Sequence, residues 1–340
     1  MELSDWLECP HLAAVRARVP GLSFRRLRGP SEAAAMSRTS RLSWEADGVE
    51  WMVRPEEVQE WLEDRSDHDH MSDVLVIEGD GEFVGYSELV WDSVDADPKY
   101  LRHSVFLLPG WRGRGIREAV FDSNESRLRE IASALPTSGR CYFRLWANDV
   151  PNEWKAKVES SGYTPSWHLL EMERKGLQSI DDVPAPEGLD YGPVRPEEYP
   201  AIWALFRDCF SQEQWSSTER WSEDVYREWL SSPKFTPEHW RVARAGGGVV
   251  GVVENSVDMG EWSALGRKVA HSERVCVREG WRRKGITTYL MTSSLKHLRD
   301  IGVEEVSLDT EVENKSRAMR VYQKVGFATR RTFTFYAKPV

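Results

Sequence analysis

The residues with the clearest capacity for chemistry form a basic turn between a strand and a helix. Alternating β-branched residues predict a strand end at 275–277, and apolar residues at helical spacing predict a core-facing helix after residue 286. Three basic side chains and a glycine, Arg282 to Gly285, separate the two elements. A helix N-terminus attracts anions through its free N–H groups and its dipole. The turn is therefore predicted to bind an anion, and a pyrophosphate is the expected ligand.

Two common phosphate-binding turns do not account for this segment. The P-loop requires G-x-x-x-x-G-K-[ST] and the dinucleotide fingerprint requires G-x-G-x-x-G, and R-R-K-G-I-T belongs to neither. A solvated basic turn is the alternative, and it would be the usual interpretation of an isolated R-x-x-G. A second pattern argues against it, because Asn314, Ala318, Tyr322 and Gly326-Phe327 form N-x-x-x-A-x-x-x-Y-x-x-x-G-F farther along the chain.

Together the two patterns resemble the coenzyme A site of the GNAT acyltransferase superfamily. That family carries [QR]-x-x-G-x-[GA] after its fourth strand, and Arg282, Gly285 and Thr287 fall on these positions. Thr287 departs from the usual Gly or Ala, although it is small and its hydroxyl can bond a phosphate. The resemblance implies acetyl-coenzyme A as co-substrate, bound by Val275, Cys276, Val277, Arg282, Arg283, Lys284, Gly285, Ile286, Thr287 and Asn314.

Acetyl transfer to an amine needs a proton donor for the leaving thiolate, and Tyr322 is the candidate. It lies one helical turn before Gly326, and the resemblance places this tyrosine beside the coenzyme A sulfur. A free thiol has a pKa near ~8.5, so protonation of the thiolate assists the reaction at neutral pH. A strand-edge N–H near Cys276 or Val277 is the candidate donor to the thioester oxygen. The structural alternative for Tyr322 is a half-buried core tyrosine.

The general base has two candidates, His271 and Glu273. Strand alternation places both on one face together with Val275. Relatives often use a glutamate at the position of His271, and histidine is a chemically suitable replacement because it titrates near neutrality. The β-bulge of the family can change which residue points inward. For both residues a solvated strand end is the alternative.

Two further features have a functional and a structural interpretation each. Asn314 either anchors the pantetheine arm or caps the following helix. The Trp-rich segment 203–240, which includes Trp215, Trp221 and Trp229, either lines the acceptor site, as the first helices do in relatives, or packs at a domain interface.

An internal repeat indicates two domains of one plan. The segment G-W-R-G-R-G-I at 110–116 matches G-W-R-R-K-G-I at 280–286, an offset of 170 residues. We expect an N-terminal domain at 1–174, a linker at 175–188 and a catalytic domain at 189–340. Alternation of strands and helices predicts an α/β class. The resemblance adds the topology, which is two tandem GNAT-like domains, each a mixed, mostly antiparallel sheet flanked by helices.

The first copy is predicted to be degenerate. Arg117 occupies the small sixth position of its turn motif, and Val158 stands where Tyr322 stands in the second copy. A valine cannot donate a proton. We therefore expect the first copy to bind coenzyme A weakly or not at all.

The composition limits the classes of partner that the protein is expected to bind. The net charge of −10 argues against general nucleic-acid binding and favours cationic substrates such as amines. The four cysteines show no metal spacing, so no metal site is predicted. The chain shows neither a signal-peptide core nor a membrane span, so we expect a cytoplasmic protein.

The hypothesis is an N-acetyltransferase that moves an acetyl group directly to a primary amine of a small molecule in a ternary complex. An aminoglycoside-like antibiotic acetyltransferase is one alternative. A non-catalytic acyl-coenzyme A sensor or partner-binding protein is another. The intact turn suits all three, whereas Tyr322 with a nearby base favours an enzyme.

Overall fold

The computed structural model describes residues 6–63, 70–91, 98–135, 140–150, 152–211, 221–232, 234–312 and 318–340. By contacts the chain forms two compact units. Unit 1 comprises Met1–His168 and Phe333–Val340, and unit 2 comprises Leu169–Thr332. The domain boundaries given above remain a prediction, and Asn314 and Trp215 lie outside the described residues.

The elements alternate along the chain as the sequence predicts. The described α-helices are α1 Pro10–Arg18, α2 Ala33–Ala46, α3 Pro55–Glu63, α4 Ile116–Ala134, α5 Glu153–Ser160, α6 Tyr199–Phe210, α7 Glu223–Ser231, α8 Met259–Leu265, α9 Ile286–Asp300 and α10 Ala318–Lys324. The described strands are β1 Leu22–Arg26, β2 Val74–Gly79, β3 Glu82–Trp91, β4 Lys99–Leu107, β5 Cys141–Asn148, β6 Thr164–Lys175, β7 Asp190–Gly192, β8 Arg241–Ala245, β9 Gly248–Ser256, β10 Val269–Val277, β11 Glu305–Glu311 and β12 Ala328–Pro339. No helix within these described ranges is long and apolar enough to span a bilayer.

Unit 1 is built on a mixed sheet in the order β1-β2-β3-β4-β5. The pair β4–β5 is parallel and the other neighbouring pairs are antiparallel. The C-terminal part of β12, Phe333–Pro339, pairs antiparallel with β5 and so belongs to this unit.

Unit 2 repeats this plan in the order β7-β8-β9-β10-β11-β6. Here β10–β11 is the parallel pair, and the other pairs are antiparallel. Leu169–Lys175 of β6 pairs with β11 and belongs to this unit. Two mixed, mostly antiparallel sheets flanked by helices confirm the predicted fold class.

The two faces of the unit 2 sheet carry separate apolar clusters. One cluster contains side chains of α9 and α10, including Leu290, Met291 and Tyr322. The other contains side chains of α6 and α7 together with Cys276 of β10. Burial of these two clusters fixes the helices against the strands that carry the candidate site.

Most described tryptophans of segment 203–240 belong to the second cluster. The Trp229 and Trp240 rings stack with centroids 5.4 Å apart, and Trp203 lies 5.2 Å from Trp229. All three are less than a tenth exposed. These side chains therefore stabilise the core of unit 2, an arrangement that neither sequence interpretation of the segment had included.

The segment 175–188 packs on unit 2. Leu177 is 1% exposed and lies in the cluster beneath α9, and Asp182 forms an ion pair with Lys296 of that helix. By its contacts this stretch belongs to unit 2.

Candidate active site

A gap between β10 and β11 is the central feature of unit 2. In the described part of the chain these parallel strands pair only over Val269–His271 and Glu305–Ser307. β10 nevertheless continues to Val277, and β11 continues while pairing with β6 on its other side. The strands therefore separate beyond His271. The edge of β10 that faces β11 then carries backbone groups that a ligand can bind, since each peptide unit has a donor and an acceptor.

A β-bulge at Glu273 changes which side chains of β10 share a face. The register with β9 shifts at this residue, so Glu273 is the extra residue. Ala270 before the bulge and Val275 after it both pack in the cluster beneath α9. Strict alternation would place them on opposite faces. The expectation that Val275 shares a face with His271 and Glu273 is therefore wrong.

The turn before α9 contains two residues with left-handed backbone. Arg283 has a φ of 63° and Gly285, which directly precedes the helix, has a φ of 82°. A Cβ costs about 1–2 kcal/mol in this conformation, so glycine at position 285 removes one such cost. The tight turn leaves the first N–H groups of α9, at Ile286 and Thr287, without helical acceptors. This is the arrangement expected of an anion site.

The three basic residues of the turn have different environments. Arg282 donates from Nε to the carbonyl oxygen of Val277 at 2.9 Å. The Lys284 ammonium lies 4.6 Å from the centre of the Trp281 ring. Arg283 is exposed to solvent. Arg282 therefore ties the turn to the end of β10, while Arg283 and Lys284 place positive charge at the surface of the turn.

Tyr322 lies in α10 and is 7% exposed. Its ring packs edge-on against Phe327 with centroids 6.2 Å apart. Burial raises the pKa of Tyr322, and the nearby Cys276 thiol raises it further. No described residue accepts a hydrogen bond from its hydroxyl. The phenol therefore keeps its proton at neutral pH and has that proton available for a ligand beside Cys276.

Both ring nitrogens of His271 are engaged. Nε2 lies 2.8 Å from Glu261 Oε2, and Nδ1 lies 2.6 Å from Ser307 Oγ. Burial opposes the imidazolium, but the hydrogen bond and charge of Glu261, with the charge of Glu273, outweigh it and raise the pKa of His271. His271 thus joins β10, β11 and α8 at the point where the two strands part.

Glu273 and Asp309 are carboxylates on the two strands that flank the gap. Glu273 is exposed and accepts a hydrogen bond from Ser256 Oγ at 2.6 Å. Asp309 also touches solvent, yet the surrounding protein, with the charges of Glu171 and Glu273, raises its pKa to about 6. The charge of Glu273 thus acts on Asp309, so the two carboxylates lie close enough to interact.

The C-terminal half of the chain matches a known family. Residues 199–327 match the model described as the acetyltransferase (GNAT) family. The mycothiol acetyltransferase of Catenulispora acidiphila is 27% identical over 332 residues, which cover 93% of this chain and 99% of that protein. The segment 199–327 is a GNAT acetyltransferase domain. Its co-substrate is acetyl-coenzyme A, as the sequence predicts.

Two solved structures share its architecture. A GCN5-related N-acetyltransferase from Sphaerobacter thermophilus aligns with a TM-score of 0.71 at 21% identity, over 94% of this chain and 96% of its own. A tandem GNAT protein from the clavulanic acid biosynthesis pathway aligns with a TM-score of 0.63 at 16% identity, over 94% of this chain and 98% of its own. These likenesses show the tandem GNAT fold.

Unit 1 has a counterpart of this site, with an ion pair at its wall. The pairing of β4 with β5 also stops early, at Arg102 and Arg144. A cavity beyond that point is lined by residues of both strands and by Trp44, Asp47, Arg117 and Trp154. Arg117 NH2 lies 3.0 Å from Asp47 Oδ2, and its guanidinium lies 4.8 Å from the centre of the Trp154 ring.

The Arg117–Asp47 ion pair makes the first site less suited to bind a phosphate. Arg117 is buried, and burial lowers its pKa while Asp47 opposes that change. Its charge is thus already matched by a carboxylate rather than available to a phosphate. Val158, the counterpart of Tyr322, is fully buried.

The structure adds one candidate site residue that the sequence interpretation missed. Asp309 belongs to S-L-D-T-E, where residues 307, 309 and 311 alternate onto one face of β11. That alternation was a usable signal, because it places the carboxylate beside the β10 residues already singled out. The predicted roles of the other site residues remain predictions.

Proposed function

We propose that unit 2 transfers the acetyl group of acetyl-coenzyme A directly to a primary amine of a small molecule within a ternary complex. The observation that carries this proposal is the gap between β10 and β11, which has Glu273 and Asp309 beside it and Tyr322 near Cys276. One region of the unit thus supplies backbone donors, proton acceptors and a proton donor.

The turn and the strand edge have separate tasks in this mechanism. The N–H groups of Ile286 and Thr287, aided by Arg283 and Lys284, bind the pyrophosphate. Backbone N–H groups near Cys276 and Val277 bind the thioester oxygen and stabilise the negative charge that it gains. Holding both reactants still makes a bimolecular step effectively unimolecular.

Proton transfer then involves two groups. A carboxylate takes a proton from the bound ammonium, so that the neutral amine can attack the thioester carbon, and Tyr322 gives its proton to the departing sulfur. Asp309 suits the first role because it lies on the strand that flanks the gap and its pKa is raised to about 6. Glu273, one of the two candidate bases predicted from the sequence, then acts by raising that pKa. His271 is a positioning residue, since both its ring nitrogens already have partners.

The acceptor is proposed to be a small cationic amine. The carboxylates of Glu273 and Asp309 and a net charge of −10 both attract a protonated amine. The similarity to a named relative gives a narrower proposal, because the protein from Catenulispora acidiphila is a mycothiol acetyltransferase. We propose an acceptor of the mycothiol class.

The decisive experiment presents the protein with acetyl-coenzyme A and a panel of amines. The panel contains amines of the mycothiol class, aminoglycosides and simple alkylamines. Mass spectrometry of the acceptor reports the gain of an acetyl group, and the Tyr322→Phe variant is the matched control. Intersecting initial-velocity lines support a ternary complex, whereas parallel lines indicate a covalent acetyl-enzyme. Failure to acetylate any amine in the panel would contradict the proposed acceptor class.

A further inference from the structure

Two cysteines meet where α6 packs against the end of β10. The Cys209 Sγ lies 3.8 Å from the carbonyl oxygen of Val277, and Arg282 NH2 lies 3.9 Å from the same sulfur. Cys209 and Cys276 pack in one apolar cluster, with Cys276 buried and Cys209 partly exposed. The acetyl transfer described above requires neither thiol group.

We propose that Cys209 and Cys276 form an oxidation site that reacts with low-molecular-weight disulfides and thereby weakens acetyl-coenzyme A binding. Three features support this assignment. The two thiols are neighbours on different elements, α6 and β10. Cys209 is partly exposed to solvent, and the guanidinium of Arg282, in the coenzyme A turn, contacts its sulfur.

Cys209 is the attacking thiol. The neighbouring Cys276 thiol lowers the pKa of Cys209 to about 7; burial opposes this shift, and Arg282 supports it. A thiol with a pKa near the ambient pH is the best nucleophile for thiol–disulfide exchange. Burial raises the pKa of Cys276, so this residue stays a thiol and enters only in the second step.

The reaction consists of two exchanges. The Cys209 thiolate attacks a disulfide R–S–S–R, forms Cys209–S–S–R and releases one R–S⁻, which takes a proton from water. Cys276 then attacks the Cys209 sulfur and releases the second R–S⁻, which takes the Cys276 proton. The protein is oxidised by two electrons and the small disulfide is reduced to two thiols.

Oxidation changes the coenzyme A site because the new disulfide moves the backbone that forms the site. A disulfide holds its sulfurs about 2.0 Å apart, which is closer than any non-bonded contact between them. The end of α6 and the β10 segment at Cys276 must therefore draw together. Cys276 lies beside Val277, whose carbonyl oxygen anchors Arg282. The strand edge and the turn are thus displaced by the same bond.

The test uses the full-length protein with 2-hydroxyethyl disulfide as the oxidant. We expect peptide mapping to find a Cys209–Cys276 disulfide, and calorimetry to find acetyl-coenzyme A binding at least tenfold weaker until dithiothreitol restores it. Cys209→Ser should bind acetyl-coenzyme A like the unchanged protein and keep that affinity in the presence of the oxidant. Brief alkylation with iodoacetamide at pH 7 should modify Cys209 several-fold faster than Cys9 and Cys141, which are likewise partly exposed.

Several results would overturn the proposal. These are equal alkylation rates at Cys209, Cys9 and Cys141, a stable mixed disulfide on Cys209 that releases no second thiol, and an oxidised protein that binds acetyl-coenzyme A unchanged. The readouts are thiol chemistry and coenzyme binding, so they do not depend on which amine is the acceptor.

Discussion

Arg282 donates a hydrogen bond from Nε to the carbonyl oxygen of Val277 at 2.9 Å. This bond joins the turn before α9 to the last residue of β10, so the two parts of the coenzyme A site keep one geometry. In unit 1 Arg112 makes the corresponding bond to Leu107 at 3.4 Å. The duplicated arginine therefore shapes the turn in both copies.

Replacing Arg282 should weaken acetyl-coenzyme A binding by misplacing the turn. A hydrogen bond from a charged donor contributes about 1.5–3 kcal/mol when buried, and less when exposed. Because Arg282 is exposed, we expect Arg282→Gln to raise the Kd about tenfold by calorimetry. Arg283→Gln is the control, since it removes an equal charge at the next residue without breaking this bond. A larger loss from Arg283→Gln than from Arg282→Gln would contradict the shaping role.

Glycine at position 285 should be essential for binding acetyl-coenzyme A. Gly285→Glu places a Cβ on backbone with a φ of 82° and a negative charge at the pyrophosphate position. We expect no measurable binding of acetyl-coenzyme A by calorimetry.

The chain provides a matched control for this change. Gly115 precedes α4 in unit 1 with a φ of 74°, so Gly115→Glu introduces similar strain and the same charge. It should leave acetyl-coenzyme A binding within about twofold of the unchanged protein. Loss of binding in Gly115→Glu alone would move the site to unit 1.

One tight acetyl-coenzyme A site per chain is expected. The reason is the Arg117–Asp47 ion pair, which fills the first copy where Thr287 stands in the second. Titration calorimetry should give a stoichiometry near one. Two sites of equal affinity would show that the ion pair opens readily.

The main features of the site followed from sequence, but its local geometry did not. The motif residues predicted the turn and the strand, because phosphate binding requires a helix N-terminus after a glycine turn, while the role of Tyr322 as the acid stays a prediction. Alternation failed at Glu273, since a single inserted residue reverses every side chain beyond it. Sequence spacing carries no information about such an insertion.

Two other features depend on long-range packing. Arg282 was assigned to the anion from its charge, whereas the fold brings the Val277 carbonyl oxygen within its reach. The Trp-rich segment suggested either an acceptor-site wall or packing at a domain interface, yet Trp203, Trp229 and Trp240 form one cluster with α6. In both cases the residue type indicated which interactions the side chain can make, and tertiary contacts determined which of them it makes.

The identity of the general base should be revealed by the acid limb of the pH profile, which is the fall of kcat/KM at low pH. Burial, then Glu171 and Glu273, raise the pKa of Asp309 to about 6, so Asp309 is protonated and inactive as a base below that pH. We expect kcat/KM to fall as pH drops through about 6. Asp309→Asn should remove this limb and lower turnover roughly 10²- to 10⁴-fold.

The matched variant Glu273→Gln should behave differently. It removes a negative charge that raises the pKa of Asp309, so the limb should move to lower pH with less than about a tenfold loss of turnover. If instead Glu273→Gln abolishes the limb and Asp309→Asn retains it, Glu273 is the base.

Tyr322→Phe tests the general acid. The substitution keeps the buried ring and its packing against Phe327 and removes only the hydroxyl, for which no described residue is a hydrogen-bond acceptor. Fold stability should therefore change by less than about 1 kcal/mol, and acetyl-coenzyme A affinity should change little. If Tyr322 protonates the leaving sulfur, kcat and kcat/KM should fall together by roughly 10²- to 10⁴-fold.

A thioester whose leaving thiol is already acidic separates proton donation from positioning. Such a thiolate departs without a proton, so its transfer should proceed at nearly the same rate in Tyr322→Phe as in the unchanged protein. An equal loss with both thioesters would mean that the hydroxyl positions the substrate instead. No loss with either would return Tyr322 to the role of a core tyrosine, and the buried phenol beside Cys276 would then need another explanation.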